Sequence, residues 1–305
     1  MKIALICNTT AAFPLISWLR GQQLLAAIGI NEQQTDFSQD LRQIAQQINQ
    51  NITVLRRENL NNDLIGFVQS SQADLVLVLG CPFKIPASVL TLPKYGFFNI
   101  HFGSLPKYAG AVPVFWQIKN REPQCQLTIH KMNEKFDAGD IAIEIPFDLH
   151  KNQIYGAIEV MFGYATINGV FQLINALLGG TLTLKAQTKV SEQYTKRPQM
   201  QDMIVDFKNM SAAEIVALVK ACNPWNKGAA VKFKGAFLKI LEAKTVIAAE
   251  IKALPGNIIL INSSEIHVAC LGDETLIIQA IYTEQGYMVG ENMATLGFKI
   301  GDTLG

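Results

Sequence analysis

What is scarce in this sequence narrows it first. Its five cysteines, Cys7, Cys81, Cys125, Cys222 and Cys270, stand far apart and odd in number, with no CxxC pair and no Cys/His cluster drawn from the four histidines. That pattern reads as reduced thiols in a cytoplasmic protein, excludes a disulfide framework and offers no metal-ligand spacing. An excess of charge of one sign is also missing. Lys+Arg 26 against Asp+Glu 25 leaves a net charge of +1, too little to drive nonspecific binding to nucleic acid or anionic lipid. Gly80, Gly103 and Gly110 form no GxGxxG set, so a dinucleotide fingerprint is lacking. The first residues carry no signal-peptide pattern, and no uninterrupted apolar stretch is expected to span a bilayer, so no membrane partner is expected.

What is present is apolar and long. With 305 residues, 49% of them hydrophobic and 17% charged, two globular domains are expected. Up to about residue 150, short apolar runs alternate with helical patterns. Strands are expected at 3–7, 24–30, 52–55 and 73–79, and helices at 13–23, 38–51 and 60–72. Such alternation predicts right-handed crossovers and a mostly parallel sheet with helices on both faces, with its site at the carboxyl ends of the strands. A strand at 96–100, a hairpin at 126–132 and 141–145, and a helix over 155–178 follow. Ser211 and Glu214 make a capping box, and short strands at 230–233, 237–243, 256–262, 266–271 and 276–281 suggest a small β barrel or sandwich. The expected layout is residues 1–187 as an α/β domain, 188–205 as a linker and 206–305 as a β domain.

The densest polar cluster is Asn99-Ile100-His101, followed by residues 103–110 and by Asp137-Ala138-Gly139-Asp140. At i and i+2 of a strand, Asn99 and His101 share a face. Polar groups at the end of an interior strand are hydrogen-bonded or chemically employed. A nearby carboxylate is expected to raise the pKa of His101. His130 alternates with apolar residues and reads as a structural strand histidine, and His150 and His267 are isolated. Cys81 reads as inert. Trp225 is expected to anchor a helix end, and Lys232, Lys234 and Lys239 read as solvated surface.

The run Phe98-Asn99-Ile100-His101-Phe102-Gly103-Ser104-Leu105-Pro106-Lys107-Tyr108-Ala109-Gly110-Ala111-Val112-Pro113 resembles the signature of the 10-formyltetrahydrofolate-dependent formyltransferases, and Leu127 to Met132 with Asp137 to Ile141 resembles its continuation. Lys220 to Trp225, Phe237 to Ile240 and Pro255-Gly256 are similar to the carboxyl-terminal domain of the methionyl-tRNA formyltransferases. The resemblance implies a Rossmann-like formyltransferase domain followed by an oligonucleotide-binding-like (OB-like) β barrel. It further implies Asn99, His101 and Asp137 as the catalytic trio. Gly80 with Cys81, Pro82, Phe83, Lys84, Ile85 and Pro86, and Asp137 with Ala138, Gly139 and Asp140, would form the pterin pocket, with Gly103, Ser104, Leu105 and Pro106 lining the folate site. The implied donor is 10-formyltetrahydrofolate, with no metal.

Two departures bear on the acceptor. The family's Lys-Tyr-Arg-Gly element reads Lys107-Tyr108-Ala109-Gly110 here, and residues 31–37, where the transfer-RNA enzymes carry a basic loop, are short and acidic. From Asp206 onward nine basic residues face ten acidic ones, opposite in sign to a phosphate-binding domain. Methionyl-tRNA, a small amine such as a nucleotide-linked amino sugar, and water all remain as formyl acceptors. A noncatalytic folate- or RNA-binding module is the reading from another class, and the oligomeric state stays open.

Overall fold

A computed structural model describes residues 1–149, 153–187, 194–247, 253–272 and 274–305. The chain forms two compact units, Met1–Ala111 with Gln124–Phe147 and Glu159–Thr195, and Val112–Pro123 with Asp148–Ile158 and Lys196–Gly305. The second unit therefore takes chain from both sides of the expected linker at 188–205, and the first ends inside it. His150 and residues 188–193 of the expected linker lie outside the described residues.

The first unit is built on a seven-stranded sheet: β1 (Ile3–Cys7), β2 (Leu25–Asn31), β3 (Ile52–Leu55), β4 (Leu75–Leu79), β5 (Gly96–His101), β6 (Gln124–Lys131) and β7 (Ile141–Asp148), in the order β3-β2-β1-β4-β5-β6-β7. The first five strands pair in parallel and β6 runs antiparallel to β5. β1 and β4, buried along their whole length, are continuous apolar runs, as strands covered on both faces must be. The order reverses between β1 and β4, which places a crevice at their carboxyl ends.

The helices are α1 (Phe13–Gly21), α2 (Asp36–Gln47), α3 (Leu60–Ser71), α4 (Ala87–Leu90), α5 (Pro113–Lys119), α6 (Tyr155–Leu178), α7 (Ala212–Ala221) and α8 (Glu291–Ala294). α2 begins two residues earlier than its apolar period indicates, because Thr35 caps it through the Ser38 N–H and Ser38 returns a bond to the Thr35 N–H. Among the described residues α6 is the helix that bears on the expectation about bilayer-length stretches. Its 24 residues, with a mean hydropathy of 1.3, are long and apolar enough to cross a membrane by length and composition, but 44% of that window is buried inside the fold. Phe162, Val170 and Leu173 are buried, and Gly169 lets the helix approach Leu127, Ile129 and Ile145. It is a core helix.

α5 has no counterpart in the sequence reading. It joins the second unit because its side chains bond there: Trp116 Nε1 donates to the Lys196 carbonyl at 2.8 Å and Lys119 Nζ to the Asp202 carbonyl at 2.7 Å. Trp225 donates to the Ala221 carbonyl at the end of α7, with its ring against Phe115 and Tyr155. The rest of this unit is an antiparallel sheet of β8 (Ala229–Phe233), β9 (Ala236–Ile247), β10 (Ile258–Ile261), β11 (Ile266–Ala269), β12 (Glu274–Thr283) and β13 (Gly286–Val289), ordered β10-β11-β12-β9-β8 with β13 on β12. The Ser211–Glu214 capping box starts α7.

Candidate active site

β5 delivers Asn99 and His101 to one face of the sheet, and antiparallel pairing fixes what stands beside them. Asn99 is registered with His130 of β6, and His101 with Thr128. Directly opposed residues lie on the same face, so His130 joins the cluster. Its Nε2 is 3.2 Å from Asn99 Nδ2 and 3.4 Å from Asp137 Oδ1. The sequence reads His130 as structural; the signal that places it in the site is the pairing of the two strands, which sets His130 opposite Asn99.

Asp137 arrives from the turn between β6 and β7 with a left-handed backbone, φ 48°. Its Oδ1 accepts from Asn99 Nδ2 at 3.1 Å and its Oδ2 from the Gly110 N–H at 2.8 Å. His101 Nδ1 lies 3.6 Å from Oδ1, beyond hydrogen-bond distance. The other ring nitrogen of His101, Nε2, is 2.8 Å from the Tyr108 carbonyl and donates to it. Two histidines and one amide thus converge on one carboxylate.

Burial sets the protonation states. It lowers the pKa of His101 below the ordinary histidine value, outweighing the upward push of Asp137 and of the Tyr108 carbonyl. The expectation that a nearby carboxylate raises this pKa is therefore corrected: the push exists, but desolvation exceeds it. Burial also pushes Asp137 up, yet the two histidines and the Gly110 N–H hold it down at about 2. The pair at neutral pH is a carboxylate beside a neutral imidazole. Such an imidazole is ready to take a proton, and its Nδ1 would then face a negative oxygen.

The turn carrying Asp137 is held from two sides. Gln187 Nε2 donates to the carbonyls of Asp137 at 2.9 Å and Gly139 at 2.7 Å. On the other side Gly139 presses on the backbone of Lys131, leaving no room for a Cβ. Gln187 was not singled out from the sequence, because it is 50 residues from Asp137 along the chain. Replacing it by Leu removes both donors, and a misplaced catalytic group costs about 10- to 100-fold in turnover. Steady-state kinetics of Gln187→Leu should show a fall in kcat of that order, with its melting temperature reporting any loss of fold.

Around this centre the remaining candidates divide. Lys84 Nζ sits 5.6 Å from the centroid of Phe136, joining the 81–86 loop to the Asp137 turn. Pro82 and Lys84 are exposed and Phe83 is half-buried. Ile85 points into the sheet core beside Val76 and Val78, so its side chain serves packing. Cys81 is half-buried, its thiol pushed up to about 11 by burial. Leu105 packs with Ala109 and Ile141, while Gly103 is buried and Ser104 and Pro106 are half-buried. Ala138 and Gly139 are buried, and Asp140 is exposed, its carbonyl accepting from the Lys131 N–H. Ala109 is completely buried, and Thr195 closes over it, its N–H donating to the Ala109 carbonyl at 2.7 Å. Among the described residues no group of three or more His, Cys, Asp and Glu is arranged to hold a metal ion.

A model described as formyl transferase matches residues 21–156, and one described as formyl transferase, C-terminal domain, matches residues 199–294. Among curated proteins, a methionyl-tRNA formyltransferase of Lachnospira eligens is 27% identical over 264 residues, covering 82% of each chain. One from Clostridioides difficile is 28% identical over 252 residues, 80% of this chain and 79% of that one. Among solved structures, WlaRD, a sugar 3N-formyl transferase crystallised in the presence of dTDP and 5-N-formyl-THF, superposes with a TM-score of 0.67 at 17% identity, over 92% of this chain and 97% of that one. An N-formyltransferase from Helicobacter canadensis, in complex with folinic acid and dTDP-3-aminofucose, gives 0.66 at 18% identity, over 92% and 99%. At that identity these two structures speak for the fold.

Proposed function

The chain belongs to the formyl transferase family, and from that premise we propose that it moves a formyl group from 10-formyltetrahydrofolate to a primary amine, using Asn99, His101 and Asp137 with His130 behind them. The observation that carries this reading is the convergence of Asn99, His101 and His130 on the Asp137 carboxylate. An amine that attacks a formyl carbon must lose a proton while negative charge grows on the formyl oxygen. The reaction calls for a proton acceptor and a hydrogen-bond donor. His101, neutral and facing Asp137, supplies the first. The Asn99 amide gives one N–H to Asp137, and its other N–H, beside His130 Nε2, supplies the second.

The donor itself brings the activated formyl group. Residues that fit its flat heteroaromatic ring are Phe83, Lys84 and Pro82 on one side and Phe136 to Gly139 on the other. One buried acceptor, Gln187 Oε1, has no hydrogen-bond partner among the described residues, which an N–H of such a ring would satisfy. Asn99→Ala should lower kcat by about 100-fold, measured as formyl loss from the donor in the presence of an amine.

For the acceptor, an aminoacylated transfer RNA is the first reading, supported by the match of both domains over most of the chain to proteins named for methionyl-tRNA. A small amine such as a nucleotide-linked amino sugar is the second. It is favoured by the connection from β2 to α2, which has only four residues, Glu32 to Thr35, and no basic side chain. The deciding experiment is a competition between charged initiator transfer RNA and a panel of amino sugars. The first reading expects formylated Met-tRNA, with affinity falling steeply as salt rises; formyl on the sugars alone moves the acceptor to the second. Free thiols at all five cysteines suit the reducing cytoplasm.

A further inference from the structure

The molecule carries an apolar surface that formyl transfer does not use. On the outward side of α6, Val160, Tyr164, Phe171 and Leu178 are 60%, 65%, 51% and 61% exposed. Ala157 is exposed and Ile167 half-buried on the same side. Residues 157, 164, 171 and 178 recur at intervals of seven, with Val160 and Ile167 between them, which is the spacing of a helix-pairing seam. From Val160 to Leu178 the helix has no charged residue. Trp18 of α1 flanks the seam, edge to face with Phe171 at 6.4 Å. Trp18, Gln22, Tyr164, Ile167, Asn168 and Phe171 line an open groove of about 360 Å³.

Single exposed apolar side chains need no explanation, but a contiguous row on one helix marks a contact surface. A membrane-surface helix sets Lys and Arg beside its apolar face, and α6 has neither. A charged partner would find no complement along the seam. The face does complement itself. When two copies are laid antiparallel about a two-fold axis between Ile167 and Asn168, Tyr164 meets the partner's Phe171, Phe171 meets the partner's Tyr164, and the small Ala157 meets the partner's Leu178. Asn168, whose amide both donates and accepts, lies beside the axis, where two copies bond amide to amide. The groove beside Trp18 receives the partner's ring as a knob enters a hole.

We propose that this chain forms a two-fold symmetric homodimer through antiparallel contact of α6. At 1.5 Å per residue the seam is about 33 Å long, and at a helix width of about 12 Å it offers roughly 400 Å². With Trp18 and its neighbours the contact buries about 1,000 Å² in total, the lower limit for a specific interface. The dimer is therefore weak, with a Kd of about 1 to 100 µM.

Sedimentation from about 1 to about 200 µM tests it. The wild type should pass from monomer to dimer, and Phe171→Glu and Tyr164→Lys should each raise Kd at least about ten-fold. Mixing the two variants should restore the dimer, because antiparallel pairing sets position 164 of one copy against 171 of the other. The neutral Phe171→Gln and Tyr164→Gln, checked by thermal melts, cover the case in which a charge disrupts the helix. A wild type that stays monomeric throughout overturns the proposal, as does a dimer that both variants leave intact or a mixture that stays monomeric. Cosedimentation of the wild type with anionic phospholipid vesicles, lost in Phe171→Glu and without any dimer, would assign the face to a membrane instead.

Discussion

Asp137→Asn should lower kcat for formyl transfer by about 10²- to 10⁴-fold, the range for loss of a group that supports proton transfer. The pH profile separates this role from simple damage. In the wild type, burial holds His101 below its ordinary value of 6.5 while Asp137 pushes it upward. Removing the charge removes that push, so the acid limb of kcat/KM should move to lower pH as the plateau falls. A limb that moves upward, or an unchanged kcat, contradicts the assignment. Stability carries the same signature. Asp137 titrates at about 2 in the folded protein against an ordinary 3.8, so its contribution is complete above 3.8 and is lost as pH falls from there to 2. His101, whose folded pKa is also depressed, contributes fully above 6.5 and loses its contribution as pH falls below that value. Thermal melts of Asp137→Asn should lack the lower of these two windows.

Gly139→Ala should cost about 3 kcal/mol, at the upper end of overpacking penalties. A Cβ there runs into the carbonyl oxygen of Lys131, which is backbone and part of β6, and comes within 3.4 Å of His130 Nδ1. Either the Asp137 turn or the strand carrying His130 must move. Turnover is expected to fall with stability, because the same displacement carries Asp137 away from Asn99 and His101. Denaturant unfolding and steady-state kinetics on one preparation check this. A variant with wild-type stability and rate would mean that the turn has slack, and the account of how Asp137 is held would fail.

Much of the first unit was legible because its strands are uninterrupted apolar runs. Ile3–Cys7 and Ile52–Leu55 fall where the sequence places them, and β4 differs from its expected span by two residues at its start. Ends were less legible where a side chain sets them, as Thr35 does for α2. α5 stayed hidden because its seven residues are too few for a clear helical period. At the centre, Asn99 and His101 stood out two residues apart on one strand, while His130 passed for packing, since its partner is 31 residues away in sequence.

By itself the sequence determined the α/β and β layout, the face shared by Asn99 and His101, and the kinship that implies formyl transfer. These follow from periodicity, spacing and motif, all local along the chain. Only the tertiary structure decided that His130 stands opposite Asn99, that Gln187 and Lys131 clamp the Asp137 turn, and that residues 112–123 pack with the C-terminal unit. It also decided the sign of the His101 shift. Desolvation depends on everything packed around the ring, and no pattern along the chain records that environment.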